Sequence, residues 1–461
     1  MHEFHSFYYD RLKMEPVSDD FTVPSGTVLD GEAIRSLVDE HRRCHLPRLE
    51  YLGHAYETRY EVFGRGPKPD YKPDNRLAAD MAYDITETFE GYFIGVPVDV
   101  THPEAGKAEY LRRWSRMNSQ EDVDAELSKA ASKYGIAYEM LYQDDEGRPR
   151  SAPVSPLTSF MVHDDSVLHR KVAFVRYAFD EEGRMRGSFS DADNVYPFSE
   201  DGGEVTVGEP VPHYFKGVPA VAYPQNSERR GLYEGVLNLI EAYNRVLSEK
   251  ANDVEYFSDA YMVVKGTELP DDFKEDLREY KLINLWGDGE EPIEVMFLQK
   301  PDGDATQENL INRLEDLIFK MAMVPDITDE GFSTASGTAL KMRMMPMNNL
   351  ARNKERKFKA GVMERLRLLA NYPEAGFSGS DWEGCEVVMH RNMPEDLASE
   401  AAVAGSLSGI VSEQTQLSVL SCVDDPAAEI DRKEAERERR AEVSTGGLPL
   451  DRAPVEEGDG E

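Results

Sequence analysis

The 461-residue sequence has few cysteines and no long apolar run. Its cysteines, Cys44, Cys385 and Cys422, lie far apart and form no C-x-x-C pair, which excludes a disulfide framework and the spacing of a zinc site. We therefore expect a reducing compartment. No basic start followed by an apolar stretch indicates a secretory signal. The longest uncharged runs reach about a dozen residues, whereas a membrane-spanning helix needs roughly 20 apolar residues.

Basic residues are also scarce relative to acidic ones. The chain has 52 Lys and Arg against 88 Asp and Glu, a formal net charge of −36. This charge opposes tight wrapping by nucleic acid and excludes DNA binding through overall attraction. The hydrophobic content of 40% still supplies a packed interior, and the length allows two or three domains.

Common catalytic motifs are missing: no phosphate-binding loop, dinucleotide-binding glycine motif, G-x-S-x-G or H-E-x-x-H occurs. We predict no enzyme activity, catalytic residue, metal or cofactor. One tight cluster of His and Asp residues comprises His163, Asp164, Asp165 and His169. It allows an alternative, a metal-dependent phage or bacterial hydrolase using His163 and Asp165. We favour a turn between strands, where Asp side chains bond the backbone.

Apolar spacing predicts an α+β fold. Helical periodicity indicates a helix pair over 31–60 and helices over 75–91, 105–118 and 121–134. In the segment over 75–91, Leu77, Met81, Ile85 and Phe89 form the apolar face. From 137 to 224 the period changes to two, with turns at 145–147 and 181–183, which predicts an antiparallel sheet.

A long helix is predicted to begin at Leu232 and to run for roughly thirty residues, with residues 226–228 as its N-terminal capping signal. Its apolar seam steps alternately by four and three residues, a spacing that faces a partner helix. An ordinary amphipathic core helix has the same pattern, so both interpretations stay open. The seam comprises Tyr233, Leu237, Ile240, Asn244, Leu247, Ala251, Val254 and Ser258.

After the long helix, the sequence predicts an acidic insert (265–304), a second helix (307–323) and a loop of small residues (326–337). The segment that follows has the strongest local excess of basic residues in the chain. Residues 338–370 carry nine basic and two acidic side chains. That composition suits a surface that contacts phosphates without reading bases. A solvated helix face that pairs with acidic neighbours in the same assembly is the competing interpretation. The nine are Lys341, Arg343, Arg352, Lys354, Arg356, Lys357, Lys359, Arg365 and Arg367.

Three stretches, taken in this order, resemble the portal (head–tail connector) proteins of tailed bacteriophages, of the type found in long non-contractile-tailed phages of Gram-positive hosts. They are NRLAADMAYDITETFEGYFIGVPVDV at 75–100, LIEAYNRVLSEKANDVEYFSDAYMVVKG at 239–266 and SGTALKMRM at 336–344. The resemblance implies a ring, usually of twelve subunits, around a channel for double-stranded DNA.

The resemblance also implies a division of the chain. It assigns a wing region at 1–228, a first stem helix at 229–264, a clip at 265–305, a second stem helix at 306–324, a tunnel loop at 325–337, a long basic wing helix at 338–373, a crown at 374–445 and a disordered acidic tail at 446–461.

Site residues follow from this division. The resemblance assigns Thr328, Asp329, Phe332, Ser333 and Thr334 to the channel, Lys341 and Arg343 to phosphate contacts, Glu275, Asp276, Trp286 and Asp288 to clip docking of terminase, and Leu237, Ile240, Leu247 and Val254 to stem packing.

The implied partners are further copies of the chain, passing DNA, the terminase large subunit, head–tail adaptors, and the major capsid and scaffolding proteins, without a membrane. The implied location is the portal vertex of the virion, and the host cytoplasm during assembly. A capsid or adaptor protein without a channel is a further alternative.

Overall fold

The computed structural model describes residues 21–69, 72–257, 262–265, 294–297, 304–328, 337–373, 377, 379–392, 397–420, 422, 423 and 425–445. The chain divides into two compact units, 1–392 and 393–461. Helices and sheets are both present, so the predicted α+β class is confirmed. Across these ranges, no helix combines the length and the apolar character needed to span a membrane.

The first unit contains helices of very different lengths. A π-helical turn (His41–His45) joins the first two, and a 3-10 turn (Asp381–Gly384) follows the last. In chain order the helices are α1 (Gly31–Glu40), α2 (Leu46–Tyr56), α3 (Glu61–Gly64), α4 (Met81–Phe93), α5 (Ala105–Asn118), α6 (Gln120–Tyr134), α7 (Leu237–Phe257), α8 (Asp304–Ala322) and α9 (Gly337–Asn371).

The strands of the first unit are short, and most of them lie between α6 and α7. In chain order they are β1 (Phe21–Val23), β2 (Asp99–Thr101), β3 (Ile136–Gln143), β4 (Pro149–Val154), β5 (Ser159–Asp164), β6 (Lys171–Phe179), β7 (Met185–Ser190), β8 (Asn194–Asp201), β9 (Glu204–Val207), β10 (Val211–Pro212), β11 (Ala220–Pro224), β12 (Met262–Lys265), β13 (Glu294–Phe297) and β14 (Glu386–Val388).

The largest sheet has the order β1-β5-β6-β7-β8-β10, with β9 paired to β8. Its pairs are antiparallel except β1–β5, which is parallel. A second sheet, β11-β3-β4, and the pairs β12-β13 and β14-β2 are antiparallel. The antiparallel sheet predicted over 137–224 is confirmed, although it is divided into two sheets and gains β1 from outside that range.

Both predicted turns are confirmed, and each depends on an Asp and a Gly. Between β3 and β4, Asp144 Oδ1 accepts hydrogen bonds from the backbone of Glu146 and Arg148, and Gly147 has φ +76°. Between β6 and β7, Asp180 repeats this with Gly183, also at φ +76°. Glycine reaches this left-handed region without the steric cost that a Cβ imposes.

The core of the first unit has two parts that bear on the candidate site. Helix α1 buries Ile34, Leu37 and Val38 against the largest sheet. Helix α9 packs on β11, where a Cβ on Gly361 would lie only 2.4 Å from Cε1 of Tyr223. Glycine therefore permits a close approach of α9 to the second sheet, which anchors the long helix in the body of the unit.

Several predicted helices are confirmed with shifts of a few residues at their ends. The predictions over 105–118 and 121–134 correspond to α5 and α6, 307–323 to α8, and 338–370 to α9. In the second unit, the described helices are α10 (Leu397–Leu407), α11 (Glu413–Leu417) and α12 (Pro426–Thr445).

Two helix starts were predicted wrongly. The segment predicted as helical from residue 75 is not helical up to residue 80; α4 begins at Met81, and Leu77 is 43% exposed. The helix predicted from Leu232 begins at Leu237. The proposed capping signal instead closes a turn, because Asn226 Oδ1 accepts from the backbone of Arg230 at 2.8 Å.

Candidate functional site

Helices α7 and α8 form an antiparallel pair. Lys250 of α7 makes an ion pair with Glu308 of α8, and Gln307 Nε2 donates to Asp253 Oδ2 at 2.9 Å. The later residue of α7 thus meets the earlier residue of α8, as an antiparallel arrangement requires. This pair brings together the two segments predicted as stem helices.

The predicted seam of α7 is buried along only part of its length. Leu237 and Ile240 are fully buried, and Asn244 is buried beside them. Leu247 is half-buried, whereas Val254 is 64% exposed. Within one chain, the seam therefore acts as a core face at the start of the helix and leaves the core towards its end.

A second stripe of α7, which has four-residue spacing and shares Asn244 with the seam, holds residues 75–79. Asn244 Oδ1 accepts from the backbone N–H of Ala79 at 2.9 Å, and Asn252 Oδ1 accepts from that of Asn75 at 2.6 Å. Between them, Ser248 Oγ accepts from Leu77 N at 3.0 Å, and its single proton is shared between Leu77 O at 3.0 Å and Asn244 O at 2.7 Å.

We call residues 75–79 the strap. Its two-residue backbone repeat has nearly the same length as the four-residue side-chain repeat of α7. Two extended residues advance about 6.6 Å, and four helical residues advance about 6.0 Å. Alternate backbone N–H groups of the strap therefore coincide with every fourth residue of α7. Apolar periodicity does not predict the strap, although the polar residues at 244, 248 and 252 are a visible sign of it in the sequence.

A carboxyl pair lies next to the strap. Glu241 Oε1 of α7 accepts weakly from the backbone N–H of Glu61 at 3.4 Å. Burial, and then the neighbouring carboxylate of Glu61, raises the pKa of Glu241 to about 7. The contact between α3 and α7 therefore changes charge near neutral pH.

The basic helix α9 does not present all its charges to solvent. Lys354 is 1% exposed; its Nζ donates to Glu90 Oε1 at 2.6 Å, Ser128 O at 2.9 Å and Ser132 Oγ at 2.9 Å. Burial lowers the pKa of Lys354, and Glu90 opposes that shift. The phosphate-contact interpretation is therefore wrong for Lys354.

The same correction applies to Arg365, which is also 1% exposed. Its Nη1 contacts Asp124 Oδ1 at 2.5 Å and Glu139 Oε1 at 3.3 Å, and Tyr223 donates to the other oxygen of Glu139 at 2.6 Å. Both residues pair with acidic neighbours, as the competing interpretation expects, but they do so in the buried core and not on a solvated helix face. A burial of this kind is invisible in local sequence because the acids lie on α4, α6 and β3.

The start of α9 retains exposed basic residues. Lys341 and Arg343, the predicted phosphate contacts, are both exposed. Met342 and Met345 are exposed beside them, whereas Met347 is buried.

Acidic side chains gather where α8 ends. Burial, then the carboxylates of Asp326 and Asp80, raises the pKa of Asp84. Burial, then Asp326 and Asp316, raises the pKa of Glu315. Asp326 Oδ1 accepts from the N–H and hydroxyl of Thr328 at 2.8 and 2.6 Å. The predicted tunnel loop thus starts in negative potential, with Thr328 exposed.

The remaining predicted site residues lie outside the described residues. They are the tunnel-loop residues Asp329, Phe332, Ser333 and Thr334, and the clip residues Glu275, Asp276, Trp286 and Asp288.

The cluster around His163 forms a hydrogen-bonded turn. Asp164 Oδ1 accepts from the backbone N–H groups of Ser166 and Arg170 at 3.2 and 2.9 Å, and Asp165 Oδ1 accepts from Ser25 N and Oγ at 2.9 Å. Across the described ranges, no group of three or more His, Cys, Asp or Glu side chains has a geometry that could hold a metal ion.

Comparison with known proteins gives a consistent result. The chain is 24% identical over 449 residues to the portal protein of Bacillus phage SPP1, covering 90% of this chain and 88% of the relative. It is 23% identical over 220 residues to the portal protein of Clostridium phage phiCD119, covering 47% of this chain and 48% of that relative.

A family model described as phage portal protein, SPP1 Gp6-like, matches residues 36–443. That range is most of the chain, and it includes the strap, the α7–α8 pair and α9. The family is structural and not enzymatic, which removes the metal-dependent hydrolase alternative. The chain therefore belongs to the SPP1 Gp6-like family of bacteriophage portal proteins.

Proposed function

We propose that copies of this chain close into a ring, predicted to hold twelve subunits, at one vertex of the capsid. The observation that carries this proposal is the seam of α7, which is buried at Ile240 and 64% exposed at Val254. In a heterologous ring each subunit offers one surface to the next, and the rotation closes. The exposed end of the seam, together with Leu247, supplies such a surface on the stem helices.

In this proposal the ring is a conduit for double-stranded DNA during packaging and ejection. A conduit must hold a polyanion without trapping it, because each engaged Lys or Arg adds phosphate attraction and therefore friction. The burial of Lys354 and Arg365 removes two positive charges from the surface of α9. Lys341 and Arg343 remain as candidate phosphate contacts behind the tunnel-loop residues Thr328, Asp329, Phe332, Ser333 and Thr334.

The proposed docking end is the clip, residues 265–305. Glu275, Asp276, Trp286 and Asp288 are the proposed contacts for the terminase large subunit, and head–tail adaptors bind later. The partner ATPase supplies the energy of translocation, since the chain has no phosphate-binding loop. Capsid and scaffolding proteins complete the proposed partners, with assembly in the host cytoplasm.

Native mass spectrometry of the purified full-length chain tests the ring. The proposal predicts a dominant species near twelve times the chain mass. A monomer or an open-ended series of oligomers at micromolar concentration contradicts it. A clip variant, Glu275→Lys/Asp276→Lys, is expected to form a ring with the same number of subunits. The same variant should no longer bind the terminase large subunit in a pull-down.

A further inference from the structure

One connection on the largest sheet exposes two adjacent apolar side chains. Between β5 and β6, Val167 is 99% exposed and Leu168 is 70% exposed. Hydrogen bonds fix the conformation of this connection, because Asp164 Oδ1 accepts from both the N–H and the hydroxyl of Ser166. We call residues 166–169 the knob. Neighbouring apolar side chains that are held in water are a candidate interaction surface.

A groove of about 630 Å³ lies elsewhere on the same unit, where the end of β3 faces β8 and β10. Its exposed lining is aromatic and apolar, with Tyr142, Tyr214 and Val211 all open to solvent. Pro197 and Pro212 are exposed beside them. Tyrosine is among the side chains that contribute most to binding at protein interfaces, so the groove has the composition of a docking site.

The backbone holds Tyr214 outward in a strained conformation. Its φ is +64°, in the left-handed region that bulky L residues rarely adopt. Both neighbours anchor it: Phe215 is fully buried, and His213 is buried with its Nδ1 accepting from Phe215 N at 3.2 Å. Strain of this kind persists where the surrounding structure imposes it, and it is concentrated at functional sites. The exposed phenol ring is therefore a candidate binding element of the groove.

The lining also determines the chemistry of the occupant. Among the described residues that line the groove, Asp144 is the one acidic side chain and none is Lys or Arg. Asp144 is already engaged, because its Oδ2 accepts from Nε of Arg148 and of Arg150 at 3.1 and 3.0 Å. Glu209 and Lys216, the exposed charges that flank β10 and Tyr214 in sequence, have opposite signs and select neither kind of ion. The groove therefore suits an uncharged apolar side chain, which needs no counter-charge when it is buried.

We infer that the groove receives the knob of a neighbouring copy of this chain, an inference that rests on the proposed ring. The knob supplies two uncharged branched side chains, and their exposure shows that they do not fill the groove of their own chain. The knob joins β5 to β6, whereas β8 and β10 lie beyond β7 in the same sheet. One copy thus offers the knob and the next offers the groove, which is the heterologous contact that a closed ring repeats. Around such a ring every knob and every groove is covered.

Cross-linking between copies that carry different single cysteines tests this inference. Leu168→Cys and Val211→Cys are made separately in a full-length chain with Cys422→Ser, which removes the exposed native cysteine. The two chains are co-expressed with different tags and treated with a short bismaleimide. The control pair is Glu181→Cys with Val211→Cys, because Glu181 is exposed in the turn between β6 and β7, at the opposite end of the sheet from the knob.

We expect the knob–groove pair to give at least about tenfold more cross-linked dimer than the control pair, because thiols held in contact have a far higher effective concentration. Each variant expressed alone should give only the background of the Cys422→Ser chain. Equal yields from the two pairs, or an equal yield from Leu168→Cys alone, overturn the inference.

Native mass spectrometry of the same samples separates this inference from the proposed ring. Rings of normal mass without cross-linking above the control overturn the knob–groove contact and leave the ring standing. A chain that stays monomeric before any substitution overturns both.

Discussion

At the scale of single residues, the buried cation Lys354 is the most consequential feature. Its ammonium joins α9 to Glu90 of α4 and to Ser128 and Ser132 of α6. Replacing a buried ion pair by apolar residues can be neutral, but removing one partner leaves an uncompensated charge. The contact therefore fixes which elements pack together, whether or not it adds net stability.

Lys354→Met is expected to lower the free energy of unfolding by roughly 3–5 kcal/mol, because Glu90 stays buried without its cation. Lys354→Met/Glu90→Gln should recover a large part of that loss. Urea unfolding followed by circular dichroism measures both. Lys359→Met is the control: it removes an ion pair with Glu355 on the same helix that is partly solvated and worth at most about 1 kcal/mol. Similar losses for the two single variants would argue against the buried-pair account.

Glu241 makes the free energy of unfolding depend on pH. Its pKa is raised from 4.5 to about 7 in the folded chain, first by burial and then by Glu61. Between these two values the folded state binds a proton that the unfolded state has released, so stability falls as pH rises through this window and stays lower above it.

Glu241→Gln should remove this pH dependence. The variant is expected to match the unmodified chain near the lower end of the window and to exceed its stability above the upper end, by about 1 kcal/mol after allowance for solvent screening. Urea midpoints across this pH range give the comparison. A variant that is less stable than the unmodified chain above neutral pH would disprove the assigned direction.

At the scale of elements, the strap on α7 is held by side chains and not by a sheet. Ser248 accepts from the backbone N–H of Leu77, and Asn252 accepts from that of Asn75. Ser248→Ala/Asn252→Ala is expected to cost about 2–4 kcal/mol in total, because these two strap N–H groups lose their acceptors. Hydrogen exchange should accelerate at residues 75–79 and change little in α5 and α6.

Asn238→Ala serves as the control for the strap variant, because Asn238 is an exposed residue of the same helix. It should leave exchange in the strap unchanged. If the double variant and the control behave alike, the strap does not depend on these hydrogen bonds.

The apolar periodicity of the sequence predicted those helices that pack through an apolar face and need no specific polar partner. Helices α5, α6 and α8 were predicted within a few residues of their ends because their apolar spacing is local information. The strap was not found, because Leu77 extends the spacing of Met81 and Ile85 while the backbone partners lie some 170 residues later. The charges of α9 were partly misinterpreted for the same reason, since Glu90, Asp124 and Glu139 are distant in sequence from Lys354 and Arg365.

At the scale of the whole molecule, ring assembly should depend on the exposed end of the α7 seam. Val254→Asp places a charge where the neighbouring subunit would pack, so we expect loss of the ring with the subunit still folded and soluble. Size-exclusion chromatography with light scattering measures the mass. Asn238→Asp makes the same charge change at an exposed position of the same helix and should leave the ring intact. Rings of normal mass from Val254→Asp would contradict this role for the seam.

Negative-stain electron microscopy of the purified full-length protein tests the central claim most directly. A family member with a net charge of −36 per chain and an antiparallel α7–α8 pair is expected to appear as an annulus with a central hole wide enough for duplex DNA. Class averages that show closed particles without a hole, or single subunits at every concentration, would contradict the account.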